Sequence, residues 1–164
     1  MFNFSLDMPS GGSTLVTPTD VDTDDFTSLV ISACEMLGAT DCRFHMGGFG
    51  QDDWNLDVRY DMSSVVEQVP DVLAGLRAGV DAELDLYPQG VERSITFHVD
   101  GERIIANCIS RTSWVPLTQV EQLARSYVVS AFEGFASSFA RAVFVVSPEL
   151  AITPPLDRWR DGVV

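Results

Sequence analysis

The chain has 164 residues, 46% of them hydrophobic and 21% charged, which suits one globular domain with its own apolar core and excludes a wholly disordered chain. Its 24 Asp and Glu stand against 10 Lys and Arg, all of them arginine, for a formal net charge of -14. A field of that sign repels a phosphate backbone, so it argues against direct nucleic-acid binding and favours a basic protein as partner.

The first 25 residues carry Pro9, Gly11, Gly12 and Pro18 and read as an irregular arm, with LVT at 15–17 as its only extended element. Asp20, Asp22, Asp24 and Asp25 follow, without the sixth-position glycine and distal glutamate of a calcium loop, and read as a solvated turn. MFNFSLDMPSGG has neither the basic n-region nor the continuous apolar h-region of a signal peptide. From Phe26, the apolar positions Leu29, Val30, Ala33 and Leu37 predict an amphipathic helix capped by Asp24 or Thr23. Thr27, Val30 and Ile31 keep a strand open there.

CRFHM at 42–46 and NLDVRYD at 55–61 are predicted strands, the second with Leu56, Val58 and Tyr60 on its core face. GGFGQDD between them reads as their connection, with Trp54 closing the core or marking its rim. In SSVVEQVPDVLAGLRAG the period becomes helical. Ser64 and Glu67 form a capping-box pattern, Pro70 kinks or restarts the helix, and Gly79 ends it. AELDLY at 82–87, RSITFHV at 93–99 and ERIIANCIS at 102–110 make an antiparallel meander, its second hairpin marked by Asp100 and Gly101.

Thr118 and Glu121 form another capping-box pattern and predict a helix from Val120 towards Val146, with Leu123, Tyr127, Val128, Phe132, Phe135, Phe139 and Val143 as its stripe. Gly134 or the Ser137 and Ser138 pair is expected to interrupt it. Glu133 and Arg141 make this a buried helix rather than a membrane span. In the tail beyond it, Leu156 and Trp159 are expected to dock back on the body. The expected fold is α+β, a predominantly antiparallel five-stranded sheet covered on one face by the long C-terminal helix and the middle helix. Residues 26–147 form its single domain, between the arm at 1–25 and a Pro-containing tail at 148–164.

Chemistry-bearing patterns are sparse. Cys34, Cys42 and Cys108 are too few and too scattered for a disulfide framework or a zinc knuckle, which makes the cytoplasm the expected compartment. His45 and His98 face outward by strand parity but lack HxxxH or HExxH spacing, and no serine or cysteine sits on a strand-to-helix elbow. GGFG lacks the longer glycine spacing and the following helix of a phosphate loop. No catalytic residue, metal or cofactor is therefore expected. Asp57, Glu83 and Asp85 fall on polar strand parities beside Tyr87, and together with Asp52, Asp53 and Trp54 of the glycine-rich loop they form the expected partner-binding surface.

The stretch from HMGGFGQDDWN through EQVP, QGVER and SRTSW to the long C-terminal helix resembles small bacterial immunity proteins of polymorphic and contact-dependent toxin systems, over roughly residues 43–146. The resemblance implies binding and neutralising one cognate toxin domain, often a basic nuclease, inside the producing cell and without catalysis. Two alternatives stand beside it. One is a small hydrolase or ligand-binding protein using His45 and His98 with Asp52 and Asp53, and the other is a structural homo-oligomer subunit, with a homodimer also compatible with the immunity reading.

Overall fold

The computed structural model describes residues 1–10 and 21–164. The LVT segment and Asp20 lie outside the described residues. The fold is α+β with two antiparallel sheets in place of the expected single five-stranded one. The first sheet pairs β1 (Asn3–Asp7) with β2 (Arg43–Gly47), Phe4 opposite Met46 and Leu6 opposite Phe44. The second has the order β3 (Ala82–Leu86), β4 (Arg93–Asp100), β5 (Arg103–Ser110) and β6 (Val120–Ala124). Gly101 takes a φ of 59° at the tip of the β4–β5 hairpin, as the Asp-Gly pair requires.

Three local expectations are corrected. The N-terminal arm begins with a strand, because Phe2 is fully buried and β1 finds its ladder on β2. NLDVRYD forms no strand. Leu56 and Val58 are buried as the alternation requires, but Asn55 has a φ of 55° and Tyr60 is exposed. The backbone donors of this segment are met locally: Asp57 Oδ1 accepts the N–H of Arg59 and Tyr60, and Asp61 Oδ2 accepts that of Asp57. Val120–Ala124 is a strand rather than a first helical turn, since it completes the ladder on β5. The Thr118 capping box does not form, because the Glu121 carboxylate is used elsewhere.

The helices follow the sequence more closely. α1 (Phe26–Leu37) is capped by Asp25, not Asp24 or Thr23; its carboxylate accepts the Ser28 N–H at 2.8 Å. The middle helix is two helices, α2 (Asp61–Val66) and α3 (Val69–Ala78), with Pro70 in the first turn of α3 and Gly79 ending it in the left-handed region. Ser64 lies inside α2 and donates to the Asp61 carbonyl instead of capping. α4 (Arg125–Val146) runs 22 residues without interruption, about 33 Å. By length and composition it is the one helix among the described residues that could cross a membrane, yet Val128, Phe132, Phe135, Phe139 and Val143 are buried in the fold.

α4 packs on β1, α1, α3 and the C-terminal α5 (Leu156–Arg160), in which Leu156 and Trp159 are buried. Phe2 and Phe4 of the N-terminal segment meet Phe132 and Phe135 of α4, with Phe4 4.9 Å from Phe2 and 5.0 Å from Phe132. Phe97 of β4 joins from the other sheet, 5.4 Å from Phe2 and 5.8 Å from Phe132. This aromatic cluster welds the two sheets and α4 into one core.

Candidate functional site

The conspicuous sequence motifs converge, but on structure. Gly48 has a φ of 133°, and a Cβ there would stand 2.7 Å from the Phe2 Cα, so only glycine lets the loop and the N-terminal segment meet. Glu121 secures that contact, its two oxygens accepting the N–H groups of Phe2 and Phe49 at 2.6 Å each. Trp54 is buried, so it cannot offer a surface to a partner. Its ring and that of Trp114, from SRTSW, lie 5.2 Å apart and both meet the guanidinium of Arg93, from QGVER, at 5.0 and 3.6 Å. Arg93 is 6% exposed, and its Nε and Nη1 have no hydrogen-bond partner among the described residues. Burial lowers its pKa. Gln68 of EQVP bonds to both the N–H and the C=O of Asp85, holding α3 to β3.

The two histidines are in different sheets. His45 on β2 places Nδ1 3.0 Å from Asp53 and Nε2 3.2 Å from Asp7, and these bonds, that to Asp53 first, raise its pKa above 6.5. With both nitrogens engaged, none is left to take a proton from a nucleophile. His98 on β4 pairs with Asp81 at 2.7 Å, which raises its pKa as well. Asp52 is exposed and is not His45's partner. Among the described residues no group of three His, Cys, Asp or Glu side chains could hold a metal ion. Cys34, Cys42 and Cys108 are free and buried, and burial pushes Cys42 and Cys108 up to about 11, far from a reactive thiolate.

The surface concavities lie elsewhere and meet at one residue. A cleft of about 310 Å³ runs beside β2 and the 53–58 segment, with Asp41, Asp53 and Asp57 among its walls and Arg43 as its arginine. A second, of about 650 Å³, opens between α1, the start of α2 and the turn after β3. Its walls include Ile31, Glu35, Asp57, Tyr60, Asp61 and Tyr87, with Arg59 as the opposing charge. Asp57 borders both clefts. Tyr60 and Tyr87 are 67% and 52% exposed, so their rings are available to a partner.

The expected surface therefore divides. Asp53, Asp57 and Tyr87 line the clefts, Asp52 is exposed on the loop nearby, Glu83 is exposed on β3, and Asp85 is tied to Arg111 at 2.5 Å. Ile31, Glu35, Tyr60 and Asp61 were not singled out by the sequence, because the second cleft is assembled from three segments far apart in the chain. Asp61 is the most informative of them. It is 9% exposed, its Oδ2 accepts only the Asp57 N–H, and no donor reaches its Oδ1 among the described residues. Burial raises its pKa. No protein-family model, curated protein or solved structure matches the chain.

Proposed function

We propose that the chain is a non-catalytic binding protein for a basic protein partner, acting in the cytoplasm as an immunity protein that neutralises a cognate toxin domain. The observation that carries this reading is the pair of clefts sharing Asp57, where carboxylates outnumber arginines and exposed tyrosines supply apolar contact, on a chain of net charge -14. Aromatic anchors beside a complementary field are the elements of a protein-recognition surface, and none of them requires a reactive group. The engagement of both His45 nitrogens weighs against the hydrolase alternative.

The test is affinity capture with the tagged chain from its native cell at low salt, with mass spectrometry of the captured species and light scattering of the purified complex. The expected result is a stoichiometric complex with a basic toxin domain whose activity is lost on binding. A chain that captures nothing and forms a salt-independent homo-oligomer would favour the structural-subunit alternative.

A further inference from the structure

We infer that the larger cleft receives an arginine side chain of the partner, its guanidinium meeting Asp61 and Asp57 while Tyr60 and Tyr87 contact its face and stem. The inference rests on the partner-binding reading and names what that partner must present.

Four observations point to this occupant. First, the cleft carries Glu35, Asp57 and Asp61 against Arg59, so a cation is the complementary visitor. Arg59 is itself engaged, its Nη2 donating to the Gly38 carbonyl at 3.3 Å. Second, Asp61 is a largely buried carboxylate in a segment lining the cleft, its Oδ2 bonded to the Asp57 N–H and its Oδ1 open to a donor from the cleft. Partial burial weakens the hydration of a carboxylate, and an incoming charged N–H donor offsets that. Third, the Tyr87 hydroxyl donates to Glu67 at 2.6 Å, which fixes the ring at the cleft wall. Fourth, the protein already holds one guanidinium against aromatic rings, Arg93 over Trp114 and beside Trp54.

Guanidinium fits these features better than ammonium. It is planar, weakly hydrated, stacks on aromatic rings and presents several donors in a fixed fork, so it can meet carboxylates and ring faces together. The volume of about 650 Å³ lies within the range of ligand sites and leaves space for the residues flanking the arginine.

The experiment is an NMR titration of the isotopically labelled full chain at low ionic strength with N-acetyl-arginine methylamide, and in parallel with N-acetyl-lysine methylamide. The expected result is saturable shifts centred on Tyr60, Ser63, Tyr87 and Gln89, with the arginine probe bound about two- to fivefold more tightly, the size of an exposed cation–π contact. Tyr60→Ala, at an exposed ring, is expected to abolish that preference while leaving the remaining spectrum unchanged. Asp61→Asn is expected to weaken both probes, with chemical denaturation confirming that it folds. Shifts spread evenly over the acidic surface, or equal binding of the two cations, would overturn the inference. A captured partner whose affinity is unchanged by Tyr60→Ala and Asp61→Asn would also overturn it, yet leave the partner-binding reading standing. Saturable arginine binding by a chain that captures no protein would instead uphold the chemistry of the cleft and remove that reading.

Discussion

Arg93 and Asp61 are both buried ionisable side chains whose charges act on one another, but their settings are opposite. The Arg93 guanidinium packs against two indole rings and lines neither of the two clefts. Asp61 lines an open cleft with one oxygen unmet. The difference teaches where to look for function in a chain without catalytic motifs. A charge packed under aromatic rings belongs to the architecture, whereas one that lines a concavity is where a ligand's charge is to be sought.

The comparison can be broken most forcefully on the Arg93 side. Trp54→Ala removes a buried indole and opens the guanidinium to water, with an expected loss of about 3–5 kcal/mol in urea unfolding. A loss well under that would mean the stack is peripheral. Glu121 provides the calibration of a part-buried charge with both oxygens bonded, since Phe2 and Phe49 both donate to it. Glu121→Ala is expected to cost about 2–3 kcal/mol and to expose the Phe2 and Phe49 amides to hydrogen exchange. Arg93→Met keeps the stem packing and removes the desolvated charge, so stability is expected to hold within about 1 kcal/mol or to rise. A large loss on that substitution would show that the cation–π contacts outweigh desolvation.

The smallest effect concerns the exposed histidines. Asp53 and then Asp7 raise the His45 pKa above 6.5, and Asp81 does the same for His98. A group whose pKa is higher in the folded state contributes stability that is fully present below its unfolded value and fades as pH rises through the folded one. Wild type is therefore expected to lose a little stability from just below pH 6.5 upward, through the raised folded values, and the His45→Gln, His98→Gln double variant to lose less. Denaturation midpoints across that window check it, and parallel profiles would mean that these exposed pairs contribute nothing.

Much of the fold was legible because local rules decide it. The Asp100-Gly101 hairpin, the restart at Pro70 and the αL end at Gly79 depend on a few adjacent residues. β1 and β6 were not legible, because each is five residues long and takes its identity from a distant ladder. Glu121 misled for the same reason. Its spacing from Thr118 has the form of a capping box, while its carboxylate answers amides 119 and 72 residues away. At the candidate site the periodic reading found Asp53, Asp57 and Tyr87, yet no pattern announced Asp61, Tyr60, Glu35 or Ile31. A cleft formed by α1, the 57–63 segment and the 87–89 turn has no signature in any one of them.

The junction at Phe2 also joins segments that are far apart in the chain. Its N–H is held by Glu121, its carbonyl accepts the Tyr127 hydroxyl across 125 residues, and its ring packs against Phe132. On a ribosome the first strand can form its ladder with β2 early and Phe97 can reach Phe2, but the α4 side of its cover is missing until α4 has been synthesised. Until then Phe2 and Phe4 are incompletely covered, so the interval between making the two ends is when this chain is most open to aggregation and to chaperones.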